Sequence, residues 1–165
     1  MNTSYEPFRV VNSYGAFGSV TRERFEIVLE GTLDEDPLAA RWLAYEFPAK
    51  PGDPARGLPI VAPYHRRLDW LVWFAAMSSP ERQPWLLHLV WKLLGNDRGA
   101  RSLLANDPFP ERPPRWIRAS LWRYRFAPLG SGRTWDRERA EEWLRPVSRE
   151  DADLRGLLVE EGLVR

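Results

Sequence analysis

Between Pro59 and Met77 the chain reads PIVAPYHRRLDWLVWFAAM, a stretch that sets two prolines, a histidine and a charged cluster directly ahead of a nearly unbroken apolar run. On a helix begun near Arg66, Leu68, Leu71, Val72 and Ala75 share one face, and Trp70, Trp73, Phe74 and Met77 fill much of the other. Little of such a helix is left for water, so it has to be covered on two sides. Trp70 to Met77 are therefore expected to form the central core helix, and the remaining segments are read for what covers it.

A chain of 165 residues suits one domain, taken here as residues 1–165, with length enough to bury roughly two thirds of its unfolded surface around one core. The 44% hydrophobic and 28% charged fractions are those of a water-soluble fold, and a formal net charge of +1 supplies no global field toward nucleic acid or an anionic membrane. Of 24 cationic residues only Lys50 and Lys92 are lysines, and nine tryptophans accompany the arginines. Many guanidinium groups can therefore lie flat on indole faces. With no cysteine there is no disulfide, thiolate nucleophile or cysteine metal site, and either redox compartment is allowed. The segment MNTSYEPFRV has no basic region leading into an apolar one, and no window reaches ~18 apolar residues, so no secretion signal and no membrane span are expected within these residues.

In chain order, Phe8–Asn12 reads as a strand that turns over Gly15 and Gly18 into another. Arg24–Thr32 alternates Phe25, Ile27 and Leu29 against Glu26 and Glu30, the period of a half-buried strand. A further strand over 43–47 stops at Pro48. Residues 48–63 carry Pro48, Pro51, Gly52, Pro54, Gly57, Pro59 and Pro63, too many fixed φ angles and missing donors for regular structure, so a long ordered loop is expected. Helices are expected over 66–77 and 85–94, the second closed by Gly95 at C′. A shorter one, capped by Asn96 or Asp97, would run to Leu104, anchored by Leu103 and Leu104. The proline-rich connector 107–114 leads to a long strand over Trp116–Phe126, aromatic on one parity and basic toward its end on the other. After Gly130-Ser131-Gly132, Thr134 would cap a helix over 135–144, and Ser148 with Asp151 would form the capping box of a last helix over 149–158. The fold class is α+β, a mostly antiparallel sheet or sandwich of about four to six strands with a central apolar helix and several covering helices.

His65 and Asp69 stand one helical turn apart, and a carboxylate beside an imidazole can begin a general-base or metal-ligand arrangement. With no third ligand or nucleophile near in sequence, the simpler role for Tyr64, His65, Arg66 and Asp69 is a structural knot holding the proline-rich loop. An enzyme or small-ligand site there is the alternative. His88, on the polar edge of its helix, reads as structural. The sequence holds no G-x-S-x-G, G-x-G-x-x-G or Walker motif, and no cofactor or metal is expected. Arg112, Arg115, Arg118, Arg123 and Arg125 interleave with Trp116, Trp122 and Tyr124 in the manner of a single-strand nucleic-acid platform. On a strand the aromatic parity would more simply be core and the arginines would pair with acids of residues 134–165, so no nucleic-acid partner is expected. Tryptophan beyond what a core holds would instead mark a protein-binding surface.

Five ordered blocks, RVVNSYGAFGSVTRERFEIVLEGT, YEF with KPGDPAR, APYHRRLDWLVWFAA, PWLLHLVWKLL and NDPFPERPPRWIRASLWRYRF, resemble the C-terminal domain of the lipase maturation factor family over roughly residues 7–147. The resemblance implies kinship with polytopic membrane proteins that help secreted lipases fold, with this domain on the luminal side of the endoplasmic reticulum membrane. It further implies a non-catalytic client-binding role, a secreted lipase or other hydrolase as client, and a membrane tether outside these residues. The family's animal members carry a cysteine near Phe47–Lys50 where this chain has Pro48 and Ala49, so a redox role does not transfer. Tyr14, Phe17, Arg115, Arg123 and Arg125 are carried over as a candidate contact surface, shaped by ordered loops over 13–18 and 48–65.

Overall fold

The computed structural model describes residues 23–61, 63 and 66–164. Its frame is a pair of long strands, β1 (Arg24–Thr32) and β3 (Trp116–Phe126), with the bounds that their alternation predicted. They run antiparallel in unbroken register from Arg24↔Tyr124 to Thr32↔Trp116. Opposed pairs Ile27↔Leu121 and Leu29↔Ala119, with Ile117 beside them, are all buried and form one wall of the core. At Gly31 a Cβ would lie 2.5 Å from the ring of Phe109. This glycine near the end of β1 lets the connector 107–114 lay Phe109 directly on the sheet, where its ring sits 5.6 Å from that of Tyr45.

The described sheet is completed by β2 (Leu43–Ala44) and β4 (Trp135–Val147), in the order β2-β1-β3-β4, all antiparallel. With four α-helices it makes an α+β fold, as expected. The segment 43–47 is a shorter strand than its alternation implied, because only Leu43 and Ala44 pair with β1 before a single bridge joins Glu46 to Asn106. Tyr45 and Phe47 are buried nonetheless. The expected helix over 135–144 is instead β4, the largest correction to the sequence reading. Its Ala, Glu, Arg and Leu content favours a helix locally. Gly130 and Gly132, at φ +85° and +76°, turn the chain back into the open edge of β3, where strand pairing outweighs that preference. Thr134 caps nothing: its N–H and that of Trp135 both donate to the Pro54 carbonyl.

The helix α1 (Arg67–Ala75) packs on β1 through the buried Val72 and Ala75. It ends two residues before the expected Met77 and is less enclosed than its composition required, since Trp70 is 40% exposed and Met77, just beyond its end, 61%. The most deeply seated helix is α2 (Pro84–Leu94), with Leu86, Leu87, Leu89, Val90, Leu93 and Leu94 buried. At its end Asn96, and not Gly95, takes the left-handed position, at φ +56°. The N–H groups of Asn96 and Asp97 return to the Leu93 and Lys92 carbonyls in a Schellman closure. Asp97 caps α3 (Arg98–Arg101), which stops short of Leu104, and Leu103 is half exposed and anchors nothing. For α4 (Ala152–Glu160) the cap is Asp151, accepting from the Leu154 N–H, while the Ser148 hydroxyl accepts from the Glu150 N–H and its carbonyl from the Asp151 N–H. The paired box expected for Ser148 and Asp151 is not formed.

Candidate functional site

The proline-rich segment after Phe47 is held along its length by specific bonds. Arg56 donates to the Phe47 and Pro48 carbonyls at 2.9 and 2.7 Å, closing the loop on itself. Gly52, at φ +60°, turns its carbonyl toward the sheet to accept from the Tyr124 hydroxyl at 2.8 Å and from Arg137 at 3.3 Å. Glycine is the residue that takes this left-handed turn without strain. The Pro54 carbonyl, held by two N–H groups of the β3–β4 turn, fastens the far end.

Asp69 provides the link to α1. Its side chain is buried and accepts from the Ala49 N–H at 2.5 Å, so one of its oxygens is committed to positioning backbone. Asp69 thus ties the backbone after Pro48 to the start of α1. Tyr64 and His65 lie outside the described residues, as do Tyr14, Phe17 and the loop 13–18. Arg66 is exposed at the helix start, where it makes no side-chain cap.

Beside Asp69, Lys50 reaches into the protein and pairs with Glu26 on β1, with both side chains almost wholly shielded from water. Glu26 takes Arg24 Nε on its other oxygen at 2.6 Å. Burial drives the Lys50 ammonium below its usual range, and the attraction of Glu26 opposes that shift. Neither residue was singled out from the sequence, because alternation placed Glu26 on the solvent side of β1. One signal was available: Lys50 is one of only two lysines in a chain that otherwise uses arginine for its cations. Compact and readily desolvated, an ammonium fits a closed site better than a planar guanidinium does.

Between these groups and the aromatic side of α1 lies a cleft of about 240 Å³ whose lining includes Arg24, Lys50, Val61, Arg66, Trp70 and Trp73. The Trp70 and Trp73 rings meet at 5.3 Å. On the opposite side of Lys50 a smaller hollow of about 110 Å³ runs toward Tyr124 and Arg137. The arginines of the candidate contact surface are largely matched by acids. Arg115 pairs with Glu35 at 3.1 Å, Arg123 with Glu23 and Glu138 at 3.0 and 2.5 Å, and Arg125 with Glu23 at 3.7 Å. Only Glu138 belongs to the C-terminal acids expected to supply the partners. The predicted layering of guanidinium on indole is present, with Arg118 over Trp42 at 4.3 Å, Arg137 over Trp122 at 4.7 Å and Arg149 over Trp91 at 3.8 Å. Burial and Lys92 hold His88 below the usual histidine range. Among the described residues there is no grouping of three His, Cys, Asp or Glu side chains fit to hold a metal ion. No helix among them is long and apolar enough to cross a membrane.

The family model for the lipase maturation factor C-terminal domain matches residues 10–146. The chain belongs to the lipase maturation factor family. It is 49% identical over 164 residues to lipase maturation factor 1 of Bos taurus, an alignment that takes in 94% of this chain and 29% of that protein. Against lipase maturation factor 1 of Mus musculus it is 50% identical over 159 residues, covering 92% of this chain and 28% of the relative. With lipase maturation factor 2 of Mus musculus the identity is 40% over 167 residues, 97% and 23% of the two lengths. The chain thus spans less than a third of the relatives it matches. No solved structure matches it. As a lipase maturation factor domain, it presents a sheet with a clamped proline-rich loop, a buried ion pair beneath that loop, and an aromatic cleft open beside it.

Proposed function

We propose that this chain is a client-binding domain that assists the maturation of a secreted lipase or related hydrolase without catalysing a reaction itself. Family membership supports the maturation role, and the relatives' names supply the client class. The observation that carries the binding role is the exposed apolar rim near the cleft. Leu58, Ile60, Trp70 and Met77 are between 40% and 95% exposed, and Trp70 also lines the cleft. Exposed apolar groups of this size, next to a rigidly clamped loop, suit transient contact with chains that have not yet buried their own cores. The commitment of Asp69 to the Ala49 N–H supports a positioning role for it rather than that of a free base.

The direct experiment adds the purified 165-residue chain to a chemically unfolded secreted lipase during refolding. Recovered lipase activity should rise with domain concentration, and the two proteins should crosslink early in refolding and not after completion. If yield is unchanged across a panel of lipases and no crosslink forms, the reading is wrong.

A further inference from the structure

The cleft at the start of α1 has an uneven charge balance. Arg24 and Lys50 share the single carboxylate of Glu26, Asp69 is turned to the Ala49 N–H, and Arg66, exposed on the rim, makes no ion pair among the described residues. Three cations thus face two carboxylates around one opening, whereas Arg123 is flanked on two sides by Glu23 and Glu138. The remaining walls are Ala49, Val61, Trp70 and Trp73, two of them indoles with polarisable faces. An apolar cavity with one surplus cation at its mouth favours a guest that joins an apolar group to a carboxylate. The guanidinium offers a planar pair of donors to the carboxylate, and the indoles take the hydrocarbon.

We propose that this cleft is the client-reading site and that its guest is an extended polypeptide segment in which a leucine, isoleucine or phenylalanine stands next to an aspartate or glutamate. This rests on the client-binding reading above and gives it a chemistry. Arg66 takes the carboxylate at the rim, Trp73 and Trp70 hold the apolar side chain, and the Glu26–Lys50 pair keeps the floor shut behind them. The cleft is the right size for one such residue pair, since about 240 Å³ admits a single large side chain with its neighbour and no folded element. An acidic site would instead repel this guest, so the preference has a sign that can be measured.

The test uses the whole 165-residue chain and three capped hexapeptides that alternate leucine with aspartate, with asparagine or with lysine, followed by tryptophan fluorescence and calorimetry. The aspartate peptide is expected to bind, the asparagine peptide about tenfold more weakly, and the lysine peptide more weakly still. Arg66→Gln, at an exposed position outside the core, should remove that tenfold advantage for the aspartate peptide and leave the asparagine peptide unaffected. Raising the salt concentration should shrink the same difference. Trp73→Leu should weaken the aspartate and asparagine peptides alike. Equal binding of those two peptides, binding of none, or an Arg66→Gln chain indistinguishable from the parent would overturn the proposal. An Arg66→Gln chain that still raises lipase refolding yield to the parental level would overturn this site while leaving the maturation role in place. Selective peptide binding without any effect on lipase yield would support the site and remove the role.

Discussion

At Lys50 the protein has buried a cation where an apolar side chain would have been simpler. The ion pair with Glu26 occupies the seam between the proline-rich loop and β1, and each charge is tolerable there only because the other is present. Lys50→Met should therefore destabilise the domain by roughly 3–5 kcal/mol, because Glu26 is left buried beside Arg24 alone. Adding Glu26→Leu should recover most of that loss, and urea unfolding midpoints of the two single variants and the double variant read the coupling directly. A double variant that is as unstable as the sum of the singles would mean that the two residues act independently. This pair was hard to see in the sequence because one-residue alternation assigns Glu26 to water. The loop that roofs it, and so reverses the assignment, lies more than twenty residues downstream. Asp69 was more legible, since a carboxylate one turn into a helix beside a proline-rich loop has few uses other than holding that loop's N–H groups.

Among the elements, those with a clean period were readable and those decided by their neighbours were not. The nine residues of β1 and eleven of β3 alternate regularly and keep their predicted limits. In β4 three register shifts lie between Ile117 and Trp122 of its partner. Trp135, Trp143 and Val147 are buried, but Arg137, Arg139 and Glu141, which share their parity, are not, so the strand shows no continuous two-residue repeat. The decisive information sits in the glycines of the preceding turn and in the vacant edge of β3. At the start of α4, burial alone would raise the Asp151 carboxyl, but Arg145 at 2.6 Å and the Leu154 N–H favour its charged form and hold it below the usual aspartate range. A carboxylate depressed in the folded state stabilises the fold above the unfolded value, near pH 4, and that support is lost as pH falls through the lower folded value. Asp151→Asn keeps a capping oxygen and removes the charge. It should cost about 0.5–1 kcal/mol at pH 7 and flatten the decline in stability below pH 4. Unfolding midpoints at pH 7, 5 and 3 would show both effects, and an unaltered acid slope would rule out this role for Asp151.

On the scale of the whole molecule, β4 forms one edge of the described sheet and carries Asp136, Arg137, Glu138, Arg139, Glu141 and Glu142 along it. Alternating charge and bulges are the usual means by which an edge avoids pairing with a second copy. Replacing Arg139, Glu141 and Glu142 with threonine should keep the fold and make the apparent mass rise with concentration in light scattering. A mass as constant as that of the parent would show that the charges are not needed for this.

The pairing of β1 with β3 sets the order in which the molecule can be finished. Arg118 and Glu30, joined across those strands at 2.9 Å, are 88 positions apart in the chain. While the polypeptide is being made, β1 leaves the ribosome long before the strand that will shelter it exists. At roughly 5–20 residues per second, its Ile27 and Leu29 wait several seconds with one hydrogen-bonding edge and one apolar face uncovered. The β3–β4 hairpin closes locally and late, and β1 is then drawn onto a ready template. A domain proposed to attend unfinished chains thus passes through its own interval of needing attendance.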